Sequence, residues 1–61
     1  METRIRSTTV RQVQRRANQY EVIVAYTDGH EQTVKAPTGE NQAEAYRNAE
    51  KLRAQLIEMG K

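Results

Sequence analysis

Between Tyr20 and Lys35 the chain reads Tyr-Glu-Val-Ile-Val-Ala-Tyr-Thr-Asp-Gly-His-Glu-Gln-Thr-Val-Lys, two apolar-rich runs around Asp28-Gly29. Val, Ile, Thr and Tyr fit a pleated surface, and Asp-Gly between two such runs marks a hairpin. The two-residue period of side chains along a strand then chooses the loop. A two-residue loop, Asp28-Gly29, sets Val22 opposite Lys35 and Val24 opposite Thr33. A three-residue loop, Thr27-Asp28-Gly29, sets Val22 opposite Val34 and Tyr20 opposite Ala36. The second keeps apolar residues on one face and is the expected register, with Gly29 in the left-handed conformation of a bulge. Pro37 has no N–H for a ladder and closes the second strand.

From Asn41 the rhythm changes. Ala45, Ala49, Leu52, Leu56 and Met59 recur at three- and four-residue spacing, one stripe along a helix expected over 41–59. Asn41 with Glu44 resembles a capping box, Thr38 is an alternative cap, and Gly60 is a natural stop. Glu44, Arg47, Glu50 and Arg53 alternate in sign, the mark of a solvated face with weak ion pairs. Tyr46 and Ile57, with Ala43 and Ala54 nearby, form a second and weaker apolar shoulder. It fits a contact surface for another protein or the margin of the core.

The opening segment obeys neither rhythm cleanly. As a helix it aligns Val10, Val13 and Ala17, with Ser7, Thr8 or Thr9 as cap. As a strand it puts Arg11, Val13 and Arg15 on one face and Val10, Gln12, Gln14 and Arg16 on the other. A lone hairpin is marginal in water and a third strand relieves that, so strand is preferred, with Ala17-Asn18-Gln19 as the turn that follows. The expected fold is α+β: a three-stranded antiparallel meander with one C-terminal helix on one sheet face. Val24 and Tyr26, or else Ile23, must then face away from the helix, leaving one side of the sheet without a cover.

Size sharpens that last point. The 61 residues make one small domain, only 36% of them hydrophobic, with no cysteine and one histidine. Chains this short usually draw on disulfides, metal or a partner for stability. Disulfides are excluded and metal nearly so, which leaves self-association, most simply a homodimer, or a bound partner. The longest apolar run, Val22 to Tyr26, is too short for a membrane span or a signal-peptide core. Together with the lack of cysteine, this fits a cytoplasmic protein without a membrane partner.

Charge is uneven. Residues 1–16 hold five arginines against one glutamate, net +4, whereas residues 17–61 hold five basic and seven acidic groups, net −2. Arginine offers a planar fork of donors to phosphate, and glutamine can pair with adenine. Arg4, Arg6, Arg11, Arg15 and Arg16 are therefore candidate nucleic-acid contacts, with Gln12 and Gln14 as base readers. The element order resembles three-stranded-sheet-plus-helix DNA-binding domains, such as integrase arm-binding and AP2-type domains, which implies DNA binding by the sheet. Chemistry of other kinds finds no support. His30 reads as a solvated turn residue beside Asp28 and Glu31, and Glu40 and Glu44 favour the helix dipole. Gly29 and Gly39 match no phosphate loop. The expectation is a binding protein that is not an enzyme and needs no metal or cofactor. The alternative is an adaptor or inhibitor, in the format of phage or mobile-element accessory proteins, docking through Tyr46, Ala54 and Ile57.

Overall fold

A computed structural model describes residues 3–60. Strands β1 (Ile5–Gln12), β2 (Tyr20–Tyr26) and β3 (Glu31–Lys35) form one antiparallel sheet in that order, and helix α1 (Gln42–Met59) follows. This is the β-β-β-α arrangement expected from the sequence.

The β2–β3 hairpin takes the register that face arithmetic favours, with Val22 opposite Val34. Tyr26 N–H bonds to His30 O at 2.8 Å, and Gly29 N–H bonds to Tyr26 O at 3.1 Å. Thr27, Asp28 and Gly29 thus form the loop, and Gly29 takes the positive φ of 94° that such a loop needs.

The first strand lies earlier in the chain than the alternation over 10–16 implies. It runs from Ile5 to Gln12, with an irregularity between Ile5 and Ser7, and it pairs Val10 with Val22 and Thr8 with Val24. Ile5 also reaches the core from this end. Burying Ile5 as well as Val10 favours the longer, earlier strand, because apolar burial contributes in proportion to area. Val13 to Gln19 is consequently a connection and not strand plus turn. Its left-handed residue is Arg15, φ 66°.

Even-numbered residues of β2 face the helix. Val22 and Val24 are the largest fully buried side chains, and Ala36, Ala45 and Ala49 are buried with them. Ile5, Val10, Tyr20, Tyr26, Leu52 and Leu56 pack around this centre. Of the residues that had to face outward, it is Ile23, with Ala25, that does so. Two buried alanines on α1 let the helix lie close to the sheet, over β1 and β2 and with far less contact to β3.

Asn41 caps α1: its side chain accepts the Glu44 N–H at 2.8 Å. Met59 departs from the predicted stripe and is 80% exposed. The reason is position, since α1 ends there and Gly60 packs near Ile5. A Cβ on Gly60 would lie 2.6 Å from Ile5 Cδ1. Gly60 has φ −84°, so it stops the helix without left-handed geometry. Among the described residues no helix is long and apolar enough to cross a membrane.

Candidate nucleic-acid interface

The five arginines do not share one face. Arg4 and Arg6 stand at the start of β1, and Arg15 and Arg16 lie beyond its end. The eight residues between span about 26 Å at the usual rise of a strand. Arg11 alone lies on the sheet face opposite the helix, paired with Glu21.

That pair changes what the open face can do. Arg11 Nε donates to Glu21 Oε2 at 3.0 Å, and a second guanidinium nitrogen closes on the same oxygen. Lys35 stands opposite Glu21 on the other side. Glu21 is buried, at 6% exposure, although it lies on the uncovered face. A buried carboxylate is stable only when paired, and Arg11 supplies that pairing, with Lys35 as the cross-strand neighbour on the other side. Farther along, Glu31 adds a negative charge and Ile23 adds half-buried apolar surface. As a whole this face is mixed rather than basic.

The concentrated positive charge sits at the sheet end formed by the β1–β2 connection. Val13 to Arg16 is a turn closed by Arg16 N–H to Val13 O at 3.0 Å. Arg15 is its third residue, and a single positive φ there defines a type II turn. Glycine or asparagine normally takes that place, because a side chain in the left-handed region is strained. A second turn, Arg16 to Gln19, returns the chain to β2.

Three tethers hold this connection, one of them from the Asn18 side chain to Glu40 O at 3.4 Å. Gly39 N–H donates to Asn18 O at 2.9 Å, and the Gln19 side chain donates to Ala36 O at 3.0 Å. Arg15 and Arg16 are exposed, and they make no ion pair among the described residues. Beside them lies an open groove of 470 Å³ lined by Arg11, Gln12, Val13, Gln14, Glu21 and Lys35. Lys35 thereby joins the basic end; the hairpin register already set it opposite Glu21, but only the pairing of β1 with β2 brings Arg11 into the same row. Gln12 turns back, its side chain donating to Arg16 O at 3.4 Å, whereas Gln14 stays exposed in the turn.

The residues expected at a protein interface stay together on one exposed flank of α1. Tyr46 remains 47% exposed and Ile57 38%, and Ala54 is exposed. Tyr46 nevertheless meets Tyr20 edge to face, with ring centroids 5.5 Å apart, so the shoulder borders the core. Hydrogen bonding to Glu50 holds the Tyr46 hydroxyl above its usual titration range. His30 stands at the other end of the molecule, its Nδ1 2.9 Å from Asp28 Oδ2.

The chain matches no known protein family, no curated protein and no solved structure.

Proposed function

We propose that this protein is a non-enzymatic module that binds nucleic acid through the sheet end carrying Arg11, Gln14, Arg15, Arg16 and Lys35. The observation that carries the reading is Arg15. A turn position suited to glycine holds an arginine instead, next to a second arginine. Strain of this kind collects where a side chain has a task beyond folding. Both guanidinium groups project from a short, tethered turn, which costs less ordering entropy on binding than a loose arm. Glu21, the one carboxylate in this patch, is already paired with Arg11, which lessens its repulsion of phosphate. Arg4 and Arg6 belong to the opposite end and are secondary contacts here, and Gln14 is the remaining base reader. A cytoplasmic location accords with this role.

Binding of labelled duplex DNA, measured over a range of salt, tests the proposal. Each phosphate neutralised contributes a log–log slope of about −0.9. Changing Arg15 and Arg16 together to Ala should flatten the slope by about 2 while leaving the circular dichroism spectrum intact. No binding by the unaltered chain, or an unchanged slope in the double variant, ends the proposal.

A second reading, docking on another protein in the manner of a phage accessory factor, draws on the exposed shoulder of Tyr46, Ala54 and Ile57. It predicts that Ile57→Asp abolishes capture of such a partner without affecting DNA binding.

A further inference from the structure

We infer that the chain forms a two-fold dimer in which β1 of one copy pairs antiparallel with β1 of a second, making one six-stranded sheet. The first ground is the direction of the main-chain groups. Ala36 N–H bonds to Tyr20 O, so even residues of β2 serve β3 and odd ones serve β1. Val13 N–H bonds to Gln19 O, which sets the same phase on β1. In an antiparallel ladder these roles alternate. Ser7, Thr9 and Arg11 therefore bond inward, while Thr8, Val10 and Gln12 aim their N–H and C=O groups at empty space. The irregularity near Arg6 blunts only the start of this edge; the rest, Ser7 to Gln12, pairs regularly with β2.

Charge permits a second copy there. About a two-fold axis through Thr9–Val10, Arg11 faces Ser7 or Thr9 of the other copy. Within the paired strands Arg11 thus opposes no arginine, so the ladder escapes the like-charge contact that destabilises a sheet.

The helix supplies independent grounds. Because α1 lies over β1 and β2, its axis stands roughly one strand spacing, about 4.8 Å, from the two-fold axis. Two such helices would be about 10 Å apart, the upper end of normal helix packing. The flank that would meet is the one that lacks cover. Asn48 reaches Pro37 O on the β3 side, and Tyr46 and Ile57 lie on the opposite flank. There Ile57 borders a groove of 810 Å³ whose other wall is residues 3–8. Area agrees as well. A compact 7.0 kDa monomer exposes about 4,000 Å², and this chain exposes 4740 Å². The excess, about 700 Å², is close to the roughly 800 Å² each partner contributes to a standard interface.

Pairing would also bring Arg4 and Arg6 of each copy toward Arg15 and Arg16 of the other, a cluster of like charge beyond the ladder that opposes association and that salt or phosphate would offset. That consequence bears on the nucleic-acid reading, but the pairing does not depend on it.

The test uses the full chain without nucleic acid. Light scattering should give twice the chain mass at high concentration, and Thr8 and Val10 amides should exchange about tenfold more slowly there than in dilute protein. Thr8→Pro removes an outward N–H only, so it should yield a folded monomer. Ile57→Asp should weaken association about tenfold or more. If Thr8→Pro does not fold, amide exchange in the unaltered chain still decides. A monomer at millimolar concentration overturns the inference, as does a dimer whose Thr8 and Val10 amides stay unprotected, or one that survives Thr8→Pro.

Discussion

The two turns of the meander solve the same geometric problem with opposite materials. At the β2–β3 turn the positive φ falls on Gly29, and Asp28 accepts the His30 N–H at 3.0 Å. At the β1–β2 connection the positive φ falls on Arg15, and support comes from outside, through Asn18, Gln19, Ala36 and Gly39. The first turn is specified by its own residues. The second is imposed by the fold around it, which frees its residues for other work. A strained arginine held by distant tethers fits the binding role proposed for this turn.

That contrast can be broken most forcefully at the tether. A Cβ on Gly39 would stand 2.5 Å from the backbone nitrogen of Ala45, with no flexible side chain to give way. Gly39→Ala should cost about 2–3 kcal/mol in urea unfolding. It should also loosen the β1–β2 connection, seen as faster exchange of the Val13 and Gln19 amides. Gly29→Ala meets no atom within 4 Å, so its effect is purely conformational. It should cost about 1–2 kcal/mol and leave the distant turn unchanged by NMR.

Arg15→Gly is the sharpest comparison, because stability and binding should move in opposite senses. Relief of the left-handed side chain should raise stability by about 0.5–1 kcal/mol, while DNA binding weakens. A variant that is destabilised, or that binds unchanged, would remove the argument from strain.

The smallest effect is electrostatic. Bonds from the His30 backbone and ring hold the Asp28 carboxyl below its ordinary 3.8. A depressed carboxylate contributes stability above 3.8 that disappears as pH falls through the lower folded value. The chemical shift of Asp28 should titrate below 3.8, and the β2–β3 turn alone should loosen in acid.

Much of the fold was legible because local and global preferences agree. Asp28-Gly29 and the Val22–Val34 face chose the hairpin register, and Asn41 with the alanine–leucine stripe chose the helix. The first strand was misplaced by several residues because Val10 to Arg16 alternates without a strong apolar face. Its true start rests on Ile5 meeting the far end of α1, a contact remote in sequence. Met59 failed for a related reason, since periodicity cannot tell where a sheet stops supporting a helix. The site was legible in residue type and not in arrangement. The arginines of the leading segment stood out as candidates, yet nothing local separates Arg4 and Arg6 from Arg15 and Arg16, or couples Arg11 to Glu21.

By itself the order of apolar and polar residues determined three strands, one helix and the face on which they meet, since side-chain period and turn chemistry act over a few residues. Tertiary structure alone decided that an arginine bends the chain at the β1–β2 connection, that a carboxylate lies buried on the open face, and that one edge of the sheet and the nearby helix flank are bare together. Those features depend on which segments become neighbours, and only the closed fold brings them into contact.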